Sequence, residues 1–527
     1  MTPSIILCFE RKIGRMFVKI LKLSQKRLII VGFLILLQMI WAVSMFTKLI
    51  DYSRVLNMFL ELISFSVLLY IVSKDDNPAY KLAWIIPILL FPIFGGILYL
   101  CFGDKRPTKG MRRRMDKAAA KISAFSIADE DLLERVKEKD RIAYGQMKYI
   151  NDFAHYPAYE NTEAEYFKSA EDCFPVMLEE LKKAKQFIFM EYFIMEEGGM
   201  WGKILEILNQ KVLEGVEVRI IYDDMGCVAL LPYKYYESLE QMGIQCVAFN
   251  PVIPFFSLVM NHRDHRKITV IDGKVGFTGG FNIADEYINE KERFGYWKDT
   301  GVMLKGDAVW NLTAMFLITW NSMKNSKTED VRKYMPSIDK NVVIENRGYV
   351  QPYGDSPLDR ENVSESVFLN MINGAQDYIY LTTPYLVIDN EMMTALLLAA
   401  KRGVDVRIIT PGIPDKRYVY ILTQSYYSQL VNGGVKIYQY NPGFVHAKSF
   451  VCDDKFAIVG TINMDYRSLY LHFECGVFFY GTSVVQEVKE DLLETMEHST
   501  QQTYALTQKR VVMRLMQAVL RVLAPLM

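Results

Sequence analysis

Residues 265–272 read His-Arg-Lys-Ile-Thr-Val-Ile-Asp, and residues 279–282, which follow, read Gly-Gly-Phe-Asn. Residues 446–453 read His-Ala-Lys-Ser-Phe-Val-Cys-Asp, and residues 460–463 read Gly-Thr-Ile-Asn. The His, Lys, Asp and Asn of the second copy all follow those of the first by 181 positions (446 minus 265). A constant offset at four kinds of position indicates a duplicated functional motif, not a chance match.

The duplication extends to the segments around each motif. Short apolar segments alternate with amphipathic helical segments in both halves, and this alternation predicts an α/β sheet with helices packed on it. The fold class is therefore a two-fold pseudo-repeat of an α/β unit. The predicted strands are 187–194, 215–222 and 243–249 in the first half and 377–385, 403–410 and 434–442 in the second.

Three N-terminal segments are apolar enough to suggest a membrane anchor. Residues 28–46 are uncharged and long enough to span a bilayer as a helix; a cleaved signal peptide is the alternative. Residues 55–72 form a second candidate, and residues 82–102, which prolines and glycines interrupt, form a third that is crossing, re-entrant or interfacial. Basic clusters precede the first segment and follow the third, which favours two crossings. We expect a multi-pass membrane protein with a cytosolic catalytic part.

Two further apolar segments leave alternatives open. Residues 251–260 precede only the first motif and form either extra core or a loop that contacts lipid. The tail 509–527 places three arginines among apolar residues, which is typical of a packed terminal helix or of a helix lying in the membrane interface.

The overall composition argues against several classes of protein. Lys plus Arg and Asp plus Glu both total 61, so no net charge favours nucleic acid. The seven cysteines lack paired spacing, and no metal-ligand or nucleotide-binding signature is present. The sequence therefore predicts no cofactor and no metal.

The repeated motif carries residue types that suit phosphodiester chemistry. In a strand, His and Lys at positions i and i+2 face the same side, and the Asp-Gly pair at 272–273 predicts a hairpin that returns antiparallel. Imidazole acts as a nucleophile or as a general acid and base, and lysine supplies a fixed cation. Asn282 and Asn463 add amide donors for phosphate, and glycine beside them lets a bulky anion approach the backbone.

The carboxylates near the motif have different predicted tasks. The Asp of each motif balances charge or holds the hairpin. Asp299 and Glu474, which lie 34 and 28 residues after the histidines of their own halves (299 minus 265 and 474 minus 446), are the candidates to orient those histidines. The predicted catalytic residues are His265, Lys267, Asp272, His446, Lys448 and Asp453.

These motifs resemble the phospholipase D superfamily, whose mark is a twin H-x-K-x4-D motif with a downstream Asn. Further stretches resemble the bacterial cardiolipin synthases; they are 77–84, 261–267, 279–287, 465–469 and 523–527. The resemblance implies a pseudo-two-fold α/β/α fold in which both motifs meet in one active site. It also implies a phosphatidyl-histidine intermediate and Asp299 and Glu474 as orienting carboxylates.

The reaction that the resemblance implies is the condensation of two phosphatidylglycerols to cardiolipin and glycerol. A phospholipase D-type hydrolase, or a transferase with another acceptor alcohol, is the alternative, and a nuclease is disfavoured. The predicted partners are phosphatidylglycerol and anionic membrane lipids. Which histidine attacks phosphorus stays open, with His265 favoured by analogy, and so does the oligomeric state.

The expected division of the chain follows these features. It comprises a basic extension (1–27), the hydrophobic anchor region (28–102), a basic juxtamembrane linker (103–148), the first half (149–323), a linker (324–345), the second half (346–508) and a C-terminal amphipathic helix (509–527).

Overall fold

The computed structural model describes Ile40, Ser44 and residues 54–526, apart from 92–94, 97–98, 101–102, 104–108, 127, 253–260, 325–329, 337–347 and 359–360. The predicted span 28–46 and the apolar segment 253–260 therefore lie outside the described residues, except for Ile40 and Ser44. No helix within the described ranges combines the length and the apolarity needed to cross a membrane.

Helices precede the first sheet. The second of them starts at an Asn77 cap, whose side chain accepts a hydrogen bond from Ala79 N (2.9 Å), with Pro78 at the first helical position. It ends at Leu90 and is only about 20 Å long, so the third predicted span is not one continuous helix. The bounds are α1 Arg54–Ser73, α2 Pro78–Leu90, α3 Lys109–Ser123, α4 Glu130–Lys139 and α5 Arg141–Tyr149, followed by a π-helical turn Ile150–Ala154.

The region predicted as a juxtamembrane linker packs on the body of the protein. On α4 and α5, Leu133, Val136 and Met147 are buried in the core of the second half. On α3, Arg114 donates to the carbonyl oxygen of Ser322 in the first half (3.1 Å). These helices therefore contact both halves.

The first half contains a mixed sheet with strand order β1-β8-β6-β5-β2-β3-β4. Strands β2, β3 and β4 are parallel, and the others pair antiparallel. Its elements are β1 Thr162–Phe167, α6 Ala170–Lys183, β2 Phe187–Tyr192, α7 Gly199–Leu213, β3 Glu217–Asp223, α8 Asp224–Cys227, α9 Tyr235–Gln241, β4 Gln245–Phe249, β5 Lys267–Ile271, β6 Val275–Gly279, β7 Tyr296–Lys298, β8 Gly301–Gly306 and α10 Val309–Lys324. A 3₁₀ turn, Val331–Tyr334, follows.

The second half repeats this order as β9-β18-β16-β15-β10-β12-β13 and adds β19 at the edge. The predicted duplication of an α/β unit is therefore confirmed. Its elements are β9 Tyr349–Asp355, α11 Val363–Gly374, β10 Tyr378–Thr382, β11 Leu386–Val387, α12 Asn390–Lys401, β12 Asp405–Pro411, α13 Arg417–Asn432, β13 Lys436–Tyr440, β14 Gly443–Val445, β15 Ser449–Cys452, β16 Phe456–Gly460, β17 Met464–Asp465, α14 Tyr466–Tyr470, β18 Glu474–Tyr480, α15 Ser483–Glu497, β19 Ser499–Gln502, α16 Tyr504–Thr507 and α17 Val511–Leu523, with a final 3₁₀ turn Ala524–Leu526.

The predicted hairpin is present in both copies of the motif. Asp272 and Gly273 have φ values of 52° and 66°, and Asp453 and Asp454 have 53° and 54°. Positive φ at both central residues is the geometry of the tight turn that fits twisted antiparallel strands. Strand β6 therefore returns beside β5, and β16 returns beside β15.

A central core joins the two halves. Helices α10 and α15 contribute buried residues to one cluster that also contains strand residues of both sheets, such as Ile268 and Val451. Because α10 is apolar on nearly all sides, it can be buried on all sides. Both sheets therefore pack on shared helices, which places the two motifs on one face.

Backbone pairing across the halves completes this arrangement. Strand β14, just before the second motif, pairs in parallel with β7 of the first half. Reciprocally, Asp264, just before His265, bridges to Phe473 of the second half. His265 N donates to Phe473 O (2.9 Å), and His446 N donates to Lys298 O (2.7 Å). Each motif histidine is thus anchored on the opposite half.

Candidate active site

The two motif histidines form crossed pairs with carboxylates. His265 Nδ1 lies 2.9 Å from Glu474 Oε1, and His446 Nδ1 lies 2.6 Å from Asp299 Oδ2. Both carboxylates are fully buried, and both imidazoles are nearly so. A carboxylate at Nδ1 leaves Nε2 of each imidazole for the substrate.

The partners of these pairs differ from the expectation. The sequence pairs each carboxylate with the histidine of its own half, whereas the structure pairs each with the histidine of the other half. The reason is the backbone crossing: Glu474 begins β18 beside Asp264 and His265, and Asp299 follows β7 beside His446. In neither half does a motif histidine pair with a carboxylate of its own half.

Further hydrogen bonds hold the carboxylates. Glu474 accepts bonds from Ser468 Oγ (2.7 Å) and from Thr461 Oγ1, and Asp299 accepts one from Thr300 N (2.9 Å). Burial by itself would raise the pKa of Glu474, but His265 and, to a smaller extent, His472 more than offset this, so the pKa lies below its ordinary value. The pKa of Asp299 is lowered likewise, by His446 and Lys448 against burial. Both acids are therefore ionised at neutral pH.

Burial sets the charge of the histidines and lysines. It lowers the pKa of His265 to about 3 and that of His446 to about 4. It also lowers the pKa of Lys267 to about 8 and that of Lys448 to about 7. At neutral pH the imidazoles are therefore uncharged, and the two lysines are close to deprotonation.

The lysines lie directly beneath the histidines. Lys267 Nζ donates to the carbonyl oxygen of His265 (2.5 Å), and Lys448 Nζ contacts both the carbonyl oxygen and Nδ1 of His446. Strand β5 begins only at Lys267, so His265 lies ahead of the strand in which the sequence placed it. The His and Lys of each copy nevertheless lie together, as predicted.

The two asparagines of the motifs are not equivalent. Asn282 Oδ1 accepts a bond from Ile194 N (2.9 Å), and Nδ2 donates to Tyr287 Oη (2.7 Å), which commits its amide to the protein. The Tyr287 ring in turn packs 5.4 Å from that of His446. Asn463 also lines the pocket, and its Oδ1, which can only accept a hydrogen bond, is buried without a partner among the described residues. Phosphate binding by the amide NH₂ groups stays a prediction for both asparagines.

The predicted catalytic aspartates lie at the far end of the strands from the histidines. Asp272 accepts hydrogen bonds from the amides of residues 185–187, and Asp453 from those of 376–378. Neither is among the described residues that line the pocket. This placement gives no support to a catalytic role and corresponds to the structural alternative, since each carboxylate tethers a hairpin to the start of a neighbouring strand.

The structure places Gly280 against a carboxylate side chain, a contact that the sequence analysis did not predict. A Cβ atom at this position would lie 2.0 Å from Asp299 Oδ1 and 3.1 Å from the carbonyl oxygen of His446. The small residue therefore leaves room for the carboxylate that holds His446.

We expect the substitution Gly280→Ala to displace Asp299 and to lower kcat by about 10²-fold, because a small misplacement of a catalytic group is costly. Steady-state kinetics with thermal unfolding checks this result. Gly145→Ala is the matched control, since nothing lies within 4 Å of the added atom and both rate and Tm should persist. Full activity of Gly280→Ala would contradict the packing of Asp299 described above.

The histidines open into one large pocket of about 1010 Å³. The sequence did not identify several of its residues, although Arg263, Tyr287, Phe444, Tyr466 and Arg467 lie within five positions of a motif. Those with aromatic rings are Tyr80, Trp84, Phe193, Tyr287, Phe294, Trp297, Tyr385, Tyr418, Phe444 and Tyr466, and those with basic side chains besides His265 and His446 are Arg263, Arg293, Lys416, Arg467 and His472. A pocket of aromatic walls and cations suits an amphiphilic anion.

One group of side chains has the composition of a metal site. The ligand atoms of His265, His472 and Glu474 lie within 4.8 Å of one another. In this structure Glu474 is hydrogen-bonded to His265, and Lys267 lies beside them. The nearby cation opposes a divalent ion, so these residues fit metal-free acid–base chemistry better.

The pKa values of the lysines predict a pH dependence. Each ammonium is charged below its pKa and neutral above it, so the cations that stabilise a phosphodiester are lost as pH rises through about 7 to 8. We expect kcat/KM to fall on the alkaline side in this range. A pH–rate profile measures it, and a profile flat to pH 10 would show that the lysine charges are dispensable.

Comparisons with known proteins agree with this geometry. The family model for the cardiolipin synthase, PLD-like domain matches residues 177–299 and 368–496, and that for the phospholipase D-nuclease N-terminal region matches residues 62–103. Phosphatidylserine synthase of Haemophilus influenzae shares the fold, with a TM-score of 0.56 at 14% identity over 73% of this chain and 98% of that one.

Similar sequences extend over most of the chain. An uncharacterized protein of Streptococcus mutans is 45% identical over 87% of this chain and 99% of its own length. Cardiolipin synthases of Alkalihalophilus pseudofirmus and Geobacillus thermodenitrificans are each 34% identical, over 86% and 90% of this chain and 90% and 95% of their own lengths. With its twin motifs meeting in one pocket, the chain belongs to the cardiolipin synthase family, a group of enzymes within the phospholipase D superfamily.

Proposed function

We propose that this enzyme condenses two molecules of phosphatidylglycerol to cardiolipin and glycerol at a membrane. The observation that carries the proposal is the crossed arrangement, which faces two oriented imidazoles into one pocket. One imidazole is needed as a nucleophile and the other as an acid and base. The cardiolipin synthases at 34% identity support the choice of reaction.

The proposed transfer has two steps. Nε2 of one histidine attacks phosphorus, and the P–O bond to the departing glycerol breaks. The other histidine, in the imidazolium form that a bound phosphate anion favours, gives that oxygen a proton. The primary hydroxyl of a second phosphatidylglycerol then attacks the phosphatidyl-histidine; a P–O bond forms, the P–N bond breaks, and the proton passes to the second histidine. Lys267 and Lys448 oppose the growing negative charge, and Asp299 and Glu474 stabilise the imidazolium forms.

The exposed surface of α17 supports attachment to a membrane. Its polar Gln517 is buried (7% exposed) and donates to Ile421 O (3.2 Å), and Arg521 contacts Ser425 and the ring of Tyr426. Its apolar side faces outward instead, with Val512 79% exposed. A helix with its apolar side outward is stable where the surroundings are apolar, as in the membrane interface.

The N-terminal helices continue this apolar surface. Helix α2 contacts α17 and the final 3₁₀ turn, and its Leu89 and Leu90 are exposed. Tyr80, Trp84 and Leu526 from these elements also line the pocket. We propose that this side rests on the bilayer and that lipid enters from it. Two membrane crossings, a cytosolic site and the expected division into domains belong to the same proposal and rest on the sequence pattern.

The test uses purified enzyme and vesicles of phosphatidylglycerol alone. We expect cardiolipin and free glycerol in equal amounts, measured by mass spectrometry; phosphatidic acid in place of cardiolipin would establish a hydrolase and refute the synthase. Co-sedimentation with the same vesicles tests the exposed apolar side of α17. Leu515→Glu on that side should reduce binding, whereas Lys182→Glu, at an exposed position of α6, should not. Unchanged binding of Leu515→Glu would refute the role of α17.

A further inference from the structure

Three side chains of the pocket do not belong to the two crossed histidine–carboxylate pairs. Arg263, Arg467 and His472 line the same cavity as His265 and His446. Arg263 precedes the first motif by two residues, whereas Arg467 and His472 come from the second half. Both halves therefore contribute cationic or hydrogen-bonding groups to this end of the site.

A short backbone network holds these groups next to His265. Residues 471–473 donate to both arginines: Phe473 N to Arg263 O (2.9 Å), Leu471 N to Arg467 O (2.9 Å) and His472 N to Arg467 O (2.8 Å). Phe473 O accepts the bond from His265 N. The rings of His265 and His472 are consequently only 5.6 Å apart. The backbone of the three residues is thus fixed near His265, and all three residues line the pocket.

Acidic side chains lie near both guanidinium groups. Arg263 Nη1 donates to Asn250 O (2.8 Å) and lies 3.5 Å from Asp223 Oδ1, and Asp465 lies two residues before Arg467. Burial raises the pKa of Asp223 to about 7 and also raises the pKa of Asp465, because it disfavours their charged forms.

His472 supplies an independent sign of a ligand. Its side chain is 9% exposed, and neither ring nitrogen has a hydrogen-bond partner among the described residues. Its Nδ1 lies 3.7 Å from Glu474 Oε1, which is too far for a hydrogen bond. A buried polar ring that lines a pocket and has no hydrogen-bond partner among the described residues indicates that a ligand completes its hydrogen bonding.

We propose that Arg263, Arg467 and His472 form a second phosphate subsite, which holds the intact phosphodiester of the acceptor lipid. This inference rests on the proposed function. The donor phosphorus reacts between His265 and His446, and the acceptor carries its own phosphate, joined to the attacking hydroxyl by one glycerol. Guanidinium groups bind phosphate oxygens through charge-assisted hydrogen bonds, and a subsite beside His265 places the hydroxyl near the phosphatidyl-histidine.

The experiment compares two acceptors with the same donor. In vesicles of phosphatidylglycerol, cardiolipin formation uses an acceptor with a phosphate, whereas exchange of radiolabelled glycerol into phosphatidylglycerol uses an acceptor without one. We expect Arg467→Gln and Arg263→Gln to slow cardiolipin formation by about 10- to 100-fold, the usual effect of losing a charge-assisted contact, and to leave glycerol exchange within about threefold. His472→Asn should show the same selectivity to a smaller extent.

The controls distinguish a failure of this inference from misfolding of a variant and from a failure of the proposed function. Arg332→Gln removes an exposed arginine that pairs with Asp330 and is not among the described residues that line the pocket. It should leave both rates unchanged. Arg467→Lys keeps the charge and should recover part of the cardiolipin rate. Equal loss of both rates, or no loss of either, in the Arg467 variants would overturn the subsite. A wild-type enzyme that exchanges glycerol but makes no cardiolipin would refute the proposed function instead.

Discussion

The substitutions His265→Ala and His446→Ala are each expected to lower kcat by about 10⁴-fold or more, without unfolding the protein. The reason is that the two imidazoles have different roles. Each is paired with its own carboxylate, and the proposed reaction needs one imidazole as nucleophile and the other as acid and base. The double variant should be about as inactive as either single variant, because residues that act as a unit are not additive. Turnover of phosphatidylglycerol measures the loss.

His155→Ala is the control for these substitutions. His155 follows the π-helical turn and does not line the pocket within the described part of the chain. Thermal unfolding should show native-like Tm values for all three variants. Near-normal cardiolipin formation by His265→Ala or by His446→Ala would refute the two-histidine mechanism.

The substitutions Asp299→Asn and Glu474→Gln are expected to lower kcat by about 10² to 10⁴-fold, because the imidazole loses the carboxylate that sets its tautomer and stabilises its charged form. The pairing is crossed, so Asp299→Asn should disturb His446, and Glu474→Gln should disturb His265. ¹⁵N spectra of the histidine side chains distinguish these two cases.

Asp140→Asn serves as the matched control for the carboxylate variants. The Asp140 side chain is also largely buried and pairs with Lys455, but it caps α5 away from the pocket. It should leave the imidazole signals of His265 and His446 unchanged. If Asp299→Asn shifted the signals of His265 and spared those of His446, the crossed pairing would be wrong.

Much of the fold could be predicted because it depends on local patterns. The apolar runs at 187–194 and 377–385 contain strands β2 and β10, and the repeat implied the shared strand order of the two sheets. The Asp-Gly turn at 272–273 predicted the hairpin correctly, since turn geometry depends on the few residues that form it. Periodicity and turn chemistry act over short distances, so they can be read from one chain.

The crossing of the halves could not be predicted in this way. His265 and Glu474 are 209 residues apart, and only the pairing of Asp264 with Phe473 brings them together. The contacts of Gly280 with Asp299 and of Asn282 with Tyr287 could not be predicted for the same reason, because they form only in the folded site. Residue types indicated the chemistry, but long-range packing determined which carboxylate pairs with which histidine.

The most direct test of the central claim is to capture the covalent intermediate. Enzyme mixed with phosphatidylglycerol vesicles is quenched within one turnover, digested under alkaline conditions that preserve phosphohistidine, and analysed by mass spectrometry. The account predicts a phosphatidyl group on His265 or on His446, absent when that histidine is replaced by alanine. Formation of cardiolipin with an adduct on another residue, or with no adduct on either histidine under conditions that trap it, would contradict the account.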